Sequence, residues 1–260
     1  MFRPSLRPLN TVYCPLLTAY CLLFTSLITA CTPAPAPTPT PALTDTPLPT
    51  ATLPPSPTPT ATVTPVPVSA ICSPLTWHPL DELPLVVSWP FNPDKDVRHF
   101  GVDLSHWHFK DETSSLHEPV QAALDGKTAG VVSDRLPYGN MILIETPYTQ
   151  LSPALIERLE IPPGQSLYHL YAHLADPPAF QIGQPVSCGQ FLNRVGLTGW
   201  AVTAHLHFET RWGPPDFTFT VMAYYTADAS PEEMANYETW FSSGLYQAFD
   251  PMILLTLLQP

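Results

Sequence analysis

The chain has 260 residues, of which 35 are proline, and its formal net charge at pH 7 is −12. So acidic a protein is poorly suited to binding nucleic acid, because phosphates are neutralised by lysine and arginine. The same charge gives no reason for attraction to anionic lipid headgroups, so a membrane attachment would have to come from an anchor.

The first thirty residues have the organisation of a secretory signal. Arg3 and Arg7 give a short basic start, a mostly apolar stretch follows over residues 12–28, and small residues precede Cys31. The order Ile-Thr-Ala-Cys resembles the bacterial lipobox, which implies cleavage before Cys31 and diacylation of that cysteine. Two acyl chains anchor a protein stably, whereas one does not. We therefore expect residues 1–30 to be the signal peptide of an extracytoplasmic, membrane-anchored lipoprotein. The alternative is an uncleaved membrane helix with an incidental cysteine.

Residues 31–70 consist mainly of proline, threonine and alanine, with Asp45 as their only charged residue. Proline fixes φ and lacks an N–H group, so this tract forms neither a helix nor a strand ladder. Such a segment is an extended, semi-rigid spacer with a rise of about 3 Å per residue. We expect residues 31–70 to hold the following domain away from the membrane.

Residues 71–260 are long enough to form one domain with a sizeable core. Their short apolar segments are separated by glycines, which is typical of an all-β domain. The expected strands include Val120–Ala123, Thr128–Val132, Asn140–Glu145, Leu167–His173 and Leu206–Thr210. Two helices are expected at Ser152–Leu159 and Ser230–Phe241, because each begins with a Ser-Pro cap signal.

Histidines cluster at three places along this domain. Alternate residues of a strand share a face, so His205 and His207 point to the same side, with imidazoles about 6–7 Å apart. Two histidines on one face can share a metal centre, one binding the ion and the other acting on water. His99 and Asp103 add a nitrogen and an oxygen donor, and zinc accepts both while leaving one position for water. The pattern therefore predicts an open zinc site.

The three blocks occur in a recognisable order: His99-Phe-Gly-Val-Asp103, then Tyr171-Ala-His173-Leu174, then His205-Leu-His207-Phe-Glu209. Together they resemble the signature of lysostaphin/LytM-type zinc metalloendopeptidases, and the intervening turns Tyr138-Gly-Asn and Gly196-Leu-Thr-Gly fit as well. The resemblance covers roughly residues 97–254. It implies a mainly β fold, with an antiparallel, partly open sheet or sandwich of the duplicated-hybrid-motif type and short helical insertions.

The resemblance also implies the role of each residue. His99, Asp103 and His207 would bind one Zn²⁺ ion, and His173 and His205 would be the catalytic partners of the zinc-bound water. Zinc lowers the pKa of its water, and a histidine can exchange protons near neutral pH or donate to an oxyanion. Which histidine does which is left open. The implied activity is hydrolysis of peptide cross-links in bacterial peptidoglycan, either D-Ala-to-diamino-acid links or glycine bridges.

The chain departs from this family in three stretches, residues 105–118, 146–166 and 214–248, which are expected to border the groove and leave substrate choice open. His106 and His108 form a second His-x-His, but no carboxylate–histidine context of the family surrounds them, so a metal role there is the minor hypothesis. His169 is expected in the core or at the rim. Four tryptophans could line the groove, although aromatic residues are more often core: Trp107, Trp200, Trp212 and Trp240.

Five cysteines are present. Cys14 and Cys21 fall within the expected signal, and Cys31 would carry lipid. Cys72 and Cys188 remain, and an even pair in an oxidising compartment suggests a disulfide. The alternative is two independent buried thiols.

Three rival functions remain open. The first is a catalytically silent LytM-type module that binds cell wall or regulates wall amidases, which zinc content and hydrolysis of purified wall would distinguish from an enzyme. The second is a carrier or sugar-transport domain of similar hairpin architecture, which would be cytoplasmic and would lack the anchor. The third is a protease of secreted proteins. The sequence gives no indication of oligomeric state.

Overall fold

Ten strands and three helices lie in the residues that the structure, a computed structural model, describes: 70–94, 98–106 and 114–257. The expected signal peptide, Cys31 and nearly all of the expected spacer precede these residues. Trp107 and His108 also lie outside the described residues. Within the described ranges, no helix is both long enough and apolar enough to cross a membrane.

Eight strands form one antiparallel sheet, in the order β1-β2-β9-β6-β5-β4-β7, and β10 pairs with β9 beyond the end of β2. Strands β3 and β8 form a second, two-stranded sheet. The strands are β1 Val87–Trp89, β2 Gly101–Leu104, β3 Pro119–Gln121, β4 Gly126–Arg135, β5 Gly139–Thr146, β6 Ser166–Leu174, β7 Pro185–Val186, β8 Phe191–Arg194, β9 Leu206–Gly213 and β10 Gln247–Phe249. The helices are α1 Pro153–Arg158, α2 Pro231–Phe241 and α3 Pro251–Leu255. The predicted mainly β, antiparallel class with short helical insertions is confirmed.

The individual strand predictions are confirmed at four places, since four of the predicted segments lie inside β4, β5, β6 and β9. The fifth, Val120–Ala123, overlaps β3, which ends at Gln121. Ala122 and Ala123 nevertheless keep backbone hydrogen bonds, to Gln190 and to Cys72 respectively. The prediction therefore located an extended segment correctly but extended the paired strand too far.

Both predicted helices form, and the expected caps explain where they begin. The Ser152 side chain accepts a hydrogen bond from the N–H of Leu155 at the start of α1. At α2, the Ser230 side chain accepts from the N–H of Glu233, and the Glu233 side chain accepts in return from the N–H of Ser230. This reciprocal pair satisfies two backbone donors that a helix start leaves unbonded.

The large sheet is covered on both faces. Every residue of β5 is buried, and alternate residues face two different apolar clusters. Ile142 packs in the first cluster with Phe208 of β9, whereas Met141 packs in the second cluster with Trp240 of α2. Leu206 and Phe208 of β9 face the first cluster. Because side chains alternate along a strand, His207, Glu209 and Arg211 face the second. The α2 insertion thus covers the sheet face on which His207 lies.

Candidate metal centre

Pairing between β2 and β9 brings the first two predicted ligands together. Asp103 and His207 are direct cross-strand partners, and Gly101 is the partner of Glu209. A Cβ atom on Gly101 would lie 2.7 Å from the Phe208 carbonyl oxygen and 2.9 Å from Cε1 of His207. Only glycine lets the two backbones approach this closely. The glycine in the His-Phe-Gly-Val-Asp block therefore sets the spacing of the site.

His99, Asp103 and His207 direct three donor atoms at one point. His99 Nε2 lies 3.0 Å from Asp103 Oδ1 and 3.2 Å from His207 Nδ1, and His207 Nδ1 lies 2.8 Å from Asp103 Oδ1. All three residues are buried. Ligands of a tetrahedral zinc ion with bonds of about 2.0–2.1 Å lie about 3.3 Å from one another. Both the donor atoms and their spacing therefore fit a zinc ion.

Neighbouring groups fix the orientation of His99. Its Nδ1 donates a hydrogen bond of 2.9 Å to the backbone carbonyl of Pro90. A carbonyl only accepts, so Nδ1 carries a proton and Nε2 is the atom that faces Asp103 and His207. The Trp89 ring stacks on the imidazole with ring centroids 4.9 Å apart. The segment around β1 thus holds His99 in the geometry that a metal ligand requires.

A buried chain of charged groups performs the same task for His207. His207 Nε2 lies 3.1 Å from Oε1 of Glu209, which also accepts from the Tyr138 hydroxyl at 2.7 Å. Arg211 donates to the other oxygen of Glu209 from Nε and Nη2, at 3.0 and 2.9 Å, and Trp240 donates to it at 3.2 Å. Both carboxylate oxygens are therefore occupied. With Nε2–H donating to Glu209, the Nδ1 atom of His207 is left for the metal.

The electrostatics of the centre favour a cation. Burial raises the pKa of Asp103, but hydrogen bonds from His207 and His99 outweigh burial and hold that pKa well below its usual range. Burial lowers the pKa of His207, but its hydrogen bonds to Asp103 and Glu209 raise it, to about 9. Burial also raises the pKa of Glu209, and the Arg211 charge and the His207 hydrogen bond more than reverse that effect. Two ionised carboxylates thus flank His207, which is protonated at pH 7 as long as no metal is bound, and a bound metal would replace the proton on Nδ1.

His173 and His205 stand beside these ligands. Their ring centroids lie 4.7 Å apart, and His205 Nε2 lies 3.5 Å from Asp103 Oδ2. Each donates from Nδ1 to a backbone carbonyl, His173 to Thr198 at 2.8 Å and His205 to Thr203 at 2.7 Å. Burial, assisted by the charges of His207 and His205, lowers the pKa of His173 to about 3. Burial likewise lowers the pKa of His205. Both rings are therefore neutral at pH 7, with Nε2 able to accept a proton.

Two glycine turns position the carbonyl that holds His173. Gly139 and Gly199 have φ of +68° and +71°, and a Cβ on either would lie within 2.5 Å of backbone atoms of the other turn. Side chains are excluded at this contact, so the two turns pack backbone to backbone. Thr198, next to Gly199, reaches the same contact through its hydroxyl, which accepts from the N–H of Asn140 at 2.9 Å. The Thr198 carbonyl is fixed as a result, and with it the ring of His173.

All five predicted site residues line one groove with a volume of about 710 Å³. Trp89 and Trp200 are exposed in its walls, as is Val202, which is 95% exposed. Of the three expected insertions, residues 214–248 border the groove, through Tyr224, Tyr237 and Phe241. Within the described part of the chain, no residue of 105–118 or 146–166 lines it. The expectation for residues 146–166 was therefore wrong, because α1 instead packs on the first apolar cluster. Residues 107–113 lie outside the described residues, so the expectation for 105–118 stays a prediction.

The remaining predicted residues lie elsewhere. His169 is fully buried in β6. His106 shares no contact with the centre and lies with His78 and Glu118 in a separate group. Trp240 is a core residue, and Trp212 packs against the first apolar cluster. Cys72 and Cys188 form a disulfide between residues 116 positions apart.

Sequence reasoning missed the residues behind the ligands. Glu209 stands in the third block but received no role, and neither Arg211 nor Tyr138 was linked to it. The signal was available, because the alternation that pairs His205 with His207 continues to Glu209 and Arg211. Nothing comparable connects His78 with Glu118, since their contact depends on tertiary structure.

Comparison with known proteins identifies one family over part of the chain. Residues 99–217 match peptidase family M23, and this segment contains all five predicted site residues. No curated protein matches the chain. Among solved structures, the chain is similar to a zinc-containing peptidase from Vibrio cholerae, with 26% identity and a TM-score of 0.33, over 48% of this chain and 32% of that one. It thus spans about a third of that peptidase.

Two further solved structures are similar. One is the catalytic domain of the antimicrobial peptidase lysostaphin from Staphylococcus simulans, with 20% identity and a TM-score of 0.39, over 69% of this chain and 98% of that one. The other is a mutant catalytic domain of a prophage-encoded M23 protein from Enterococcus faecalis, with 20% identity and a TM-score of 0.36, over 51% and 85%. The match to peptidase family M23 thus covers residues 99–217, a little under half of this chain.

Proposed function

We propose that this protein is a zinc-dependent endopeptidase that hydrolyses peptide cross-links of bacterial peptidoglycan. The observation that carries the proposal is the convergence of His99, Asp103 and His207, with donor atoms 2.8–3.2 Å apart, on the floor of an open groove. His173 and His205 lie on the same floor and are neutral. Residues that could bind a metal, histidines that could transfer protons and a groove that could hold a peptide therefore occur together, as amide hydrolysis requires.

His99, Asp103 and His207 are the residues that would hold the zinc ion. A zinc ion with three protein ligands supplies Lewis acidity, polarising a carbonyl and making water nucleophilic near neutral pH. Glu209 supports the centre from behind by fixing the tautomer of His207. The buried Arg211 in turn keeps Glu209 ionised.

His173 and His205 carry the proton transfers. Each ring has its Nδ1–H committed to a backbone carbonyl, which leaves Nε2 to accept a proton from water or, once protonated, to donate to the oxygen or nitrogen of the scissile amide. The division of the two roles between the rings stays open. The Asp103 carboxylate, 3.5 Å from His205 Nε2, partly offsets the effect of burial on the pKa of His205 but does not reverse it.

The substrate class follows from the groove and from the sequence. The groove is open and walled by Trp89, Trp200 and Tyr224, surfaces suited to the side chains and backbone of an extended peptide. The signal, the lipid on Cys31 and the spacer over residues 31–70 would place this groove outside the cytoplasm, tethered within reach of the wall. Labelling with a fatty-acid analogue should tag the protein, and Cys31→Ser should abolish the tag.

The test is digestion of purified peptidoglycan and of defined cross-linked muropeptides by the full chain loaded with zinc. Hydrolysis of a peptide bond releases one amino group per cut and no reducing sugar, and the masses of the products identify the bond. His173→Ala should retain zinc but lose turnover by on the order of 10²-fold or more. His117→Asn, a change at an exposed histidine, serves as the control.

Three results would contradict the proposal. Wall binding without release of amino groups would identify a catalytically silent module. Cleavage of secreted proteins but not of muropeptides would identify a general protease. Equal activity of wild-type and His173→Ala proteins would mean that the role of His173 is misassigned.

A further inference from the structure

A second group of metal-binding side chains shares no residue with the proposed zinc centre. His78 Nε2 lies 3.0 Å from His106 Nδ1, and Glu118 Oε2 lies 3.3 Å from His106 Nδ1 and 3.7 Å from His78 Nε2. The three residues are 5%, 1% and 0% exposed. Each of the three offers one atom that could bind a metal ion.

The contacts on the outer side of each ring show which atoms face inward. His106 Nε2 donates to the backbone carbonyl of Ser114, so in a neutral ring Nδ1 carries the lone pair. His78 Nδ1 lies 3.7 Å from Oε2 of Glu82, so Nε2 is the atom that faces His106 and Glu118. With no ion present, His78 Nε2–H can donate to His106 Nδ1 at 3.0 Å. A divalent ion at this point would replace that proton, and both imidazoles and the Glu118 carboxylate would then bind it.

The spacing suits a metal ion. Tetrahedral zinc with bonds of about 2.0–2.1 Å places its ligands about 3.3 Å apart. The three distances here, 3.0, 3.3 and 3.7 Å, bracket that value. Two imidazoles and one carboxylate form a donor set that zinc and neighbouring divalent transition metals accept. We propose that His78, His106 and Glu118 bind a second divalent transition-metal ion of the zinc class, in a structural role.

The position in the fold explains that role. His106 follows β2, the strand of Asp103, and its backbone N–H donates to Ser115 Oγ at 2.8 Å. Glu118 precedes β3, and its second carboxylate oxygen accepts from the N–H of Trp77 at 3.2 Å. An ion held by these residues fastens both ends of the stretch 105–118 to the segment around His78. Because all three ligands are buried and none lines the groove, the ion stabilises the fold and does not contact substrate.

The proposal gives the second His-x-His of the sequence a partial role. The carboxylate absent from the sequence around His106 is Glu118, twelve residues further on, and the other histidine comes from an earlier segment. These three residues cannot be recognised as a motif in the sequence, because they are far apart along the chain and only the tertiary structure brings them together.

The experiment measures zinc in the His207→Ala protein, in which the first centre is disabled. After zinc loading and dialysis, this full-length variant should retain about one zinc ion per chain, because all three ligands of the second site are buried. Adding Glu118→Gln should remove that ion, whereas adding His117→Asn, at the exposed neighbouring histidine, should leave it. The cobalt-loaded His207→Ala protein should show the visible absorption of a tetrahedral Co²⁺ ion with nitrogen and oxygen ligands.

Two results would overturn the proposal: a His207→Ala protein that holds no metal after loading, or one whose metal persists after Glu118→Gln. The cobalt spectrum decides even if Glu118→Gln unfolds the protein, because it requires only the first variant. Since neither readout involves peptide hydrolysis, failure of the second site and failure of the proposed peptidase activity are separable.

Discussion

At the residue scale, Glu209 joins the proposed zinc centre to the interior. One of its oxygens faces His207 and Tyr138, and the other faces Arg211 and Trp240. Arg211 is 1% exposed and donates also to the carbonyls of Trp240 and Tyr246, so its charge is balanced by Glu209 in a low-dielectric environment. The α2 insertion, which carries Trp240, thereby supports His207 through Glu209.

Glu209→Gln tests this link. The amide keeps the size of the carboxylate but loses its charge, so it accepts more weakly from His207 and leaves Arg211 without its counter-ion. We expect zinc affinity at the His207 centre to fall about 10–100-fold, the usual cost of losing such a supporting carboxylate. Competition with a chelator measures the affinity.

The exposed Glu238→Gln, which alters only a surface contact with Tyr225, is the control for that variant. Denaturant unfolding of the zinc-free proteins separates loss of affinity from loss of fold. Unchanged zinc affinity in a folded Glu209→Gln protein would show that Glu209 has no part in holding the metal.

The sequence predicted the site residues that face the groove but not the residues that pack behind them. His99, Asp103, His173, His205 and His207 occur in blocks whose spacing is typical of metal sites, and the structure brings them together. Glu209 and Arg211 follow from strand alternation, but their pairing required knowing that this face is buried under α2. His78 and Glu118 could not be joined at all, because contacts between distant segments leave no periodic signal.

At the element scale, two glycine turns decide where β6 presents His173. The turns at Gly139 and Gly199 contact each other through backbone atoms, and the Thr198 carbonyl between them receives His173 Nδ1–H. His173 itself has a φ of +59°, a conformation that a non-glycine residue adopts at some energetic cost. A strained residue held by two close turns is a feature of functional sites.

Gly199→Ala should therefore lower peptidase turnover and stability together. The new methyl group would lie 2.3 Å from the Pro137 carbonyl oxygen, so the turn must move and take Thr198 with it. Gly164→Ala is a matched control, because Gly164 has φ +79° but no atom within 4 Å of its Cβ position. It should cost only about 1 kcal/mol of unfolding free energy from backbone strain. Equal losses of turnover in the two variants would contradict the role of the paired turns.

Strand β6 also contains His169, whose two hydrogen bonds favour the neutral form of its ring. The Thr146 hydroxyl donates to the Asp125 carbonyl and so accepts from His169 Nε2–H at 3.3 Å. The Tyr171 hydroxyl accepts from the N–H of Ala123 and so donates to His169 Nδ1 at 2.8 Å. Burial lowers the pKa of His169 to about 3, and protonation would set Nδ1–H against the Tyr171 hydroxyl hydrogen.

The pH dependence of stability follows with a definite sign. Because the folded-state pKa of His169 is about 3 and the unfolded value is about 6.5, the unfolded chain binds a proton first as pH falls. Stability should be complete above pH 6.5 and should fall below it, by at most about 1.4 kcal/mol per pH unit from this group. Urea unfolding at pH 7, 6 and 5 should give a steeper loss for the wild type than for His169→Gln. Identical slopes would show that His169 does not control acid stability.

The fold class was predictable because strand periods and turn residues are local. The caps of α1 and α2, the buried run of β5 and the glycine-marked turns all give the correct element at the correct place. The order of strands in the sheet was expected only through the family resemblance. The covering of one sheet face by α2 was not predicted, since a capped helix signals where it begins but not where it packs.

At the scale of the whole molecule, the disulfide connects the start of the domain to the turn between β7 and β8. Cys72 and Cys188 lie 116 positions apart, so the bond encloses most of the strands in one loop. Asp125 accepts from the N–H of Cys188 at 2.6 Å and also holds this turn. Cross-links across long loops restrict the unfolded chain most.

Replacing both cysteines, by Cys72→Ser with Cys188→Ser, should lower the free energy of unfolding by about 4–5 kcal/mol on the chain-entropy estimate. Urea denaturation of the oxidised wild type and the double variant measures the difference, and reduced wild type should resemble the variant. Zinc content should be unchanged, because neither cysteine lines the groove. Free thiols at both positions in secreted protein would refute the bond.

The same bond determines how the domain responds to mechanical load. The segment Cys72–Thr76 pairs with the edge of β3 through backbone hydrogen bonds. Without the disulfide, a force applied at Ala70 would break these hydrogen bonds one after another. With Cys72 bonded to Cys188, a force applied at Ala70 is transmitted through the disulfide to the turn that contains Cys188. The covalent path bypasses residues 73–187, so these residues do not bear the force. If the domain is held at its N-terminus and loaded, the segments that carry His99, Asp103 and His173 would therefore stay in register.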